Sequence, residues 1–173
     1  MKEIYFDTIE SFTKDFEKMF GEKIHTNKEK REIYIKDEVI SFKEEKIGYR
    51  SFSTPYFVNN ETIIKYEGNN DGVKEKIKQL CTAYTDKEIE AIVDDMPILK
   101  DYSDKRKKNL NGVAIIWRDH FLEENVGLLL SFVRMGVNPE DVLAIDKGDS
   151  TKHRKEITAT FKKLGFEVNI LDN

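Results

Sequence analysis

The sequence predicts an α/β protein: a parallel three-strand β-α-β-α-β unit at the C-terminal end, preceded by a small α+β region. Three observations predict it. After Asn111, strand-length apolar runs alternate with helix-length amphipathic runs. Before Asp71, one helical pattern is followed by short alternating runs rich in β-branched and aromatic residues. Between these texts, Glu67-Gly68-Asn69-Asn70-Asp71-Gly72 concentrates turn-forming residues. We therefore expect a small α+β region over 1–71, a helical connector over 72–110 and the β-α-β-α-β unit over 111–173. A chain of 173 residues buries roughly 70% of its unfolded surface when compact, so a real core is expected without staples.

In the first region, Ile9, Phe12, Phe16, Met19 and Phe20 recur at three- and four-residue spacing, which predicts a helix from Thr8 to Phe20 stopped by Gly21. Strands are expected over 32–35, 38–42, 49–52 and 62–66, with Lys36-Asp37 as a tight turn, making a small antiparallel sheet. The aromatics of this region suit either a binding face or, more simply, the buried side of the sheet. In the connector, Val73, Ile77, Leu80 and Cys81 share one helical face, and Asp86 opens a second helix carrying Ile89, Ile92 and Val93. Lys105-Arg106-Lys107-Lys108 reads as a solvated linker, because only Tyr102 is near it for stacking.

In the last region, Val113 to Trp117 is a continuous apolar run of the kind buried on both faces of a parallel sheet. A helix from Leu122 to Met135 stops at Gly136, and a second strand covers 141–145. A second helix starts at Ser150 or Thr151, buries Ile157, Phe161 and Leu164, and stops at Gly165 before a third strand over 167–171. This order implies right-handed crossovers in a Rossmann-like half-sheet, with the loops after the first two strands at one sheet edge. A doubly wound sheet usually has five or six strands. The expectation is therefore completion by N-terminal elements, by a partner chain or by a second copy as a homodimer, or else that these residues are one segment of a longer protein.

Composition narrows the function classes. The chain has 29 basic and 33 acidic side chains and a net charge of −4, against the basic balance of a dedicated nucleic-acid binder. Cys81 is the single cysteine, so no internal disulfide or cysteine-cluster zinc site is expected. No apolar run approaches a membrane span, and Met1-Lys2-Glu3-Ile4-Tyr5 does not open like a signal peptide. A cytoplasmic protein without membrane or nucleic-acid partners is the expectation.

Neither a Gly-x-Gly-x-x-Gly nor a Gly-x-x-x-x-Gly-Lys-Ser/Thr phosphate cradle occurs. Chemistry-bearing residues instead gather in the two loops expected at the sheet edge. The first contains Asp119, His120 and Glu124; the second contains Asp146, Lys147, Ser150 and Thr151. If the fold is as expected, His120, Glu124, Asp146, Lys147, Ser150 and Thr151 line one cleft. Plainer readings compete: Asp119 or Asp149 as helix caps, Ser150-Thr151 as a capping pair, and His153 as a solvated helix residue. His25 is assigned no role, and the His120-x-x-Glu123-Glu124 spacing is not that of a standard metal site.

From Ile89 to Leu171 the chain resembles part of the substrate domain of the adenosylhomocysteine hydrolase (adenosylhomocysteinase) family. The likeness rests on Met96-Pro97-Ile98-Leu99, on the helix start at His120, on Val133-Arg134-Met135-Gly136, on Ser150-Thr151 and on Leu164-Gly165-Phe166-Glu167-Val168. In that family the first helix start and the Ser-Thr lie around a bound nucleoside, which implies ligand-binding roles for His120, Ser150 and Thr151. Departures are plain: Leu122 and Asn125 stand where the family has threonines, and Lys152 where it has glutamine. The family's NAD domain and its catalytic Lys and Asp have no counterpart in these residues. The resemblance therefore implies a half-domain with a partial nucleoside- or small-molecule-binding cleft, not an active NAD-dependent hydrolase. NAD is implied only if a further domain supplies it. Two rival readings are a non-catalytic interaction or regulatory protein that binds through the N-terminal aromatic sheet, and a small enzyme using His120 and Glu124 as acid and base.

Overall fold

The structure, a computed structural model, describes residues 1–48, 50, 59–148 and 151–171. It divides into two compact units, Met1–Thr85 and Asp86–Asn173. The stretch expected as a separate connector is shared between them.

In the first unit, strand β1 (Lys2–Tyr5) leads to helix α1 (Ile9–Phe20). The helix begins where expected because the Thr8 hydroxyl accepts the Ser11 N–H at 3.3 Å. It ends at Gly21, whose φ of 64° is left-handed and whose N–H donates to the Glu17 carbonyl. Strands β2 (His25–Asn27), β3 (Glu32–Ile35), β4 (Glu38–Gly48) and β5 (Asn59–Tyr66) complete an antiparallel sheet of order β1-β5-β4-β3-β2. The strand expected over 49–52 lies, Arg50 excepted, outside the described residues. Helix α2 (Asp71–Thr82) is capped by Asn70 and packs on β1 and α1.

Tyr5, Phe12, Phe16, Phe42 and Tyr66 are all buried in one core with Ile33, Ile35, Ile40 and Ile64. These five aromatics are therefore the inside of this unit, while Phe6, Phe20 and Tyr34 are half-buried and Tyr49, Phe52, Tyr56 and Phe57 lie outside the described residues. Cys81 belongs to the same core, and burial pushes its thiol pKa well above the usual range.

The second unit opens with α3 (Asp86–Asp94) and α4 (Pro97–Asp104). Pro97 occupies the first turn of α4, where its missing N–H costs nothing, so Met96-Pro97 separates two helices. Then follow β6 (Ile115–Asp119), α5 (Glu123–Arg134), a single 3₁₀ turn at Pro139–Asp141, β7 (Val142–Asp146), α6 (Arg154–Lys163) and β8 (Glu167–Ile170). The sheet is parallel, with β7 between β6 and β8. Two starts come later than expected. Val113 donates its N–H to Leu110 inside the preceding turn, so pairing begins at Ile115. His153, at φ 64°, adopts a left-handed conformation that delays α6 to Arg154.

Strand β6 is not buried on both faces. Both crossovers step the same way across the sheet, so right-handedness puts α5 and α6, which pack together, on one face. On that face Val142, Ala144 and Asp146 are fully buried; on the other, Ile116 is 74% exposed and Leu143 and Ile145 are half-buried. Among the described residues no N-terminal strand joins this sheet, and the outer edges of β6 and β8 have no strand neighbour.

Candidate functional site at the parallel sheet edge

Register places Asp119 beside Asp146 at the C-terminal ends of β6 and β7. This is the end of an open α/β sheet where ligands usually bind, because the strand carbonyls and helix starts there leave polar groups and space. The two loops are stitched together. The Lys147 N–H donates to the Asp119 carbonyl at 3.1 Å, and the Thr151 hydroxyl donates to the Phe121 carbonyl at 3.0 Å.

The two aspartates differ in environment. Asp146 is fully buried; one carboxylate oxygen accepts Arg154 Nε–H and the other accepts the Gly148 N–H at 3.3 Å. Asp119 keeps a side chain 35% exposed and accepts from Lys147 Nζ and from the His120 N–H, both at 2.9 Å. The Lys147 hydrogen bond, followed by the His120 N–H, holds its pKa below the usual carboxylate range. Asp119 therefore presents a stable anion at the rim, with Lys147 as a neighbouring donor. Arg154 Nη2, on the guanidinium that holds Asp146, and His153 Nε2 are buried with no hydrogen-bond partner among the described residues. Buried polar atoms of this kind call for a water, a ligand or a neighbouring side chain.

Of the expected site residues, the structure brings His120, Asp146, Lys147 and Thr151 into this edge. Ser150 lies outside the described residues. Glu124 is exposed while Glu123 and Asn125 on either side are buried, so it turns away from the packed side of α5. Asp119, a candidate cap by sequence, does hold the His120 N–H, and its exposed ion pair with Lys147 makes it the accessible acid. Arg154 had no sequence signal: eight residues separate it from Asp146, and only the left-handed turn at His153 brings them together. The same turn makes His153 the half-buried residue preceding the helix and not a solvated position within it.

The turn from β6 to α5 does not fit a dinucleotide pyrophosphate. It contains no glycine, its Leu122 N–H is taken by Asn125 Oδ1 at 2.8 Å, and Glu123 and Glu124 place acids in the first helical turn. Among the described residues no three His, Cys, Asp or Glu side chains gather as a metal ion would need. None of their helices is long and apolar enough to cross a membrane. No protein-family model, curated protein or solved structure matches the chain.

Proposed function

We propose that the second unit is a Rossmann-like half-domain that binds a hydroxylated small molecule of the nucleoside class at this edge, without NAD-dependent chemistry of its own. One observation carries the reading: paired acids at adjacent parallel strand ends, one of them held by Arg154, whose buried Nη2 has no hydrogen-bond partner among the described residues. Asp119 would accept from ribose hydroxyls, and Lys147 and the Thr151 oxygen would orient the ligand. The adenosylhomocysteinase-like motifs at His120 and Thr151 support the same ligand class. With α5 and α6 together on one face of the sheet, the cleft is shallow, and adenosine should bind at about 1 mM or weaker. The test is an amide-shift titration with adenosine and with adenosylhomocysteine. Shifts confined to 119–122 and 146–154, lost in Asp119→Asn, support the reading; saturating adenosine that leaves those amides unmoved refutes it.

A different observation favours a scaffold reading. The uncovered sheet face sets Ile116, Leu143 and Glu167 in one register row and Arg118, Ile145 and Asn169 in the next. A two-fold axis parallel to the strands would lay β6 of one copy over β8 of another, so Ile116 would lie over the partner copy's Glu167 row and Arg118 over its Asn169 row. Light scattering decides between them: a dimer dispersed by Ile116→Lys supports the scaffold, whereas a concentration-independent monomer removes it.

A further inference from the structure

A second candidate site lies in the first unit and is independent of the sheet edge. A groove of about 510 Å³ opens beside the start of α1, lined by Ile9, Glu10, Lys28, Arg31, Phe42, Glu44 and Asn60. That volume lies within the range of small-molecule sites. Its origin is legible in the strand pattern. The inward row of β4 runs Ile40, Phe42 and then Glu44, and that of β5 runs Tyr66, Ile64, Thr62 and then Asn60. Ile40, Phe42, Ile64, Tyr66 and Thr62 are buried, so both rows turn polar where the sheet outruns the helix above it. Arg31 joins the same end, because the Phe42 N–H donates to its carbonyl at 2.9 Å. Polar residues on an inward row break the pattern that builds a core, and such breaks concentrate at functional sites.

The charges are arranged as opposites. Lys28 is paired with Glu10. Glu44 accepts only a long 3.4 Å bond from the Ile9 N–H, and among the described residues nothing pairs with the Arg31 guanidinium. The α1 N-terminus is already served by Thr8 and Glu44, so the groove offers side chains and not bare backbone donors. Glu44 sits two residues beyond Phe42 on β4, about 7 Å along the strand from the register position of Arg31. Their two long side chains reach across that gap above a floor of Ile9 and Phe42.

We propose that this groove binds a zwitterionic α-amino acid with an apolar side chain. Arg31 takes the carboxylate in the fork geometry a guanidinium favours. Glu44 takes the ammonium, and the apolar side chain covers Ile9 and Phe42. Asn60 supplies an amide to whichever terminus lies nearer β5.

The test titrates the ¹⁵N-labelled chain with L-leucine and L-methionine while following the amides of Ile9, Phe42 and Asn60. Leucinamide and N-acetyl-leucine, each lacking one charge, are the control arms. The expected result is saturable shifts at these amides with a Kd of about 1–10 mM. Loss of either ligand charge, Arg31→Gln or Glu44→Gln should weaken binding about tenfold or more. Both substitutions are at exposed positions, and unchanged circular dichroism shows that each variant is folded. The proposal is overturned if the amides do not move, if the singly charged analogues bind as well as the zwitterions, or if folded Arg31→Gln retains full affinity.

Discussion

Arg154→Ala should destabilise the second unit far more than Lys147→Ala, although both remove the cation partner of an aspartate at neighbouring strand ends. Asp146 is fully buried and Asp119 is 35% exposed, so the two carboxylates stand in different dielectrics. Removing one partner of a buried ion pair costs about 3–5 kcal/mol, because the remaining charge has neither water nor counter-charge. The Arg154 side chain is itself 26% exposed, which lets water reach the site and puts the expected loss near the low end, about 3 kcal/mol. Lys147 and Asp119 form a rim pair, whose removal costs at most about 1 kcal/mol. Trp117 is the only tryptophan and sits in β6, so its fluorescence reports this unit selectively during urea unfolding. Arg154→Ala should lower the midpoint by roughly 1–3 M at ordinary m-values, and Lys147→Ala by much less. Adding Asp146→Asn to Arg154→Ala should restore about 1–2 kcal/mol, since the amide still accepts from Gly148 without carrying a charge. Equal losses for the two single variants, or no recovery in the double variant, would refute the argument from burial.

Asp119 has a depressed folded-state pKa, so its pairing contributes stability above the unfolded value near about 4 and loses it as pH falls through the folded value. The urea midpoints of the parent and Asp119→Asn should therefore differ at pH 7 and converge as the pH falls through about 4 and below. Gly136→Ala should cost more than about 1 kcal/mol, because φ is 110° and an added Cβ would meet Lys108 Cα at 3.0 Å; thermal unfolding reads it. Thr8→Ala removes the acceptor for the Ser11 N–H and should cost about 1 kcal/mol in the first unit, visible as faster amide exchange in α1. Cys81, buried with its thiol pKa pushed up, should resist a thiol reagent until urea opens the first unit; rapid labelling of the native chain would contradict its core placement.

Local patterns were legible wherever a short stretch of chain decides its own state. The spacing of Ile9, Phe12 and Phe16 with Thr8 and Gly21 at the ends sufficed for α1. Alternation sufficed for β3 and much of β4, and the strand-helix-strand rhythm after Asn111 sufficed for a parallel sheet. Strands β1 and β2 were not legible: β1 is short and takes its state from a partner far along the chain, as Lys2 with Lys65, and β2 is only three residues held by its hairpin with β3, as His25 with Tyr34. Likewise the apolar text of β6 does not say whether it is central or at an edge.

What the sequence by itself determined was the class of the protein, the location of its parallel unit and the loops at the C-terminal edge of that unit's sheet. Only tertiary structure decided which acids in those loops are usable. Asp119 and Asp146 are the same residue type at equivalent strand ends. One is buried against Arg154 and one reaches solvent beside Lys147 because the helices cover the central strand more fully than the edge strand. The same holds for the groove in the first unit, whose charges come from α1, the β2–β3 turn and β4. Burial and convergence depend on residues far apart in the chain, and no local pattern encodes them.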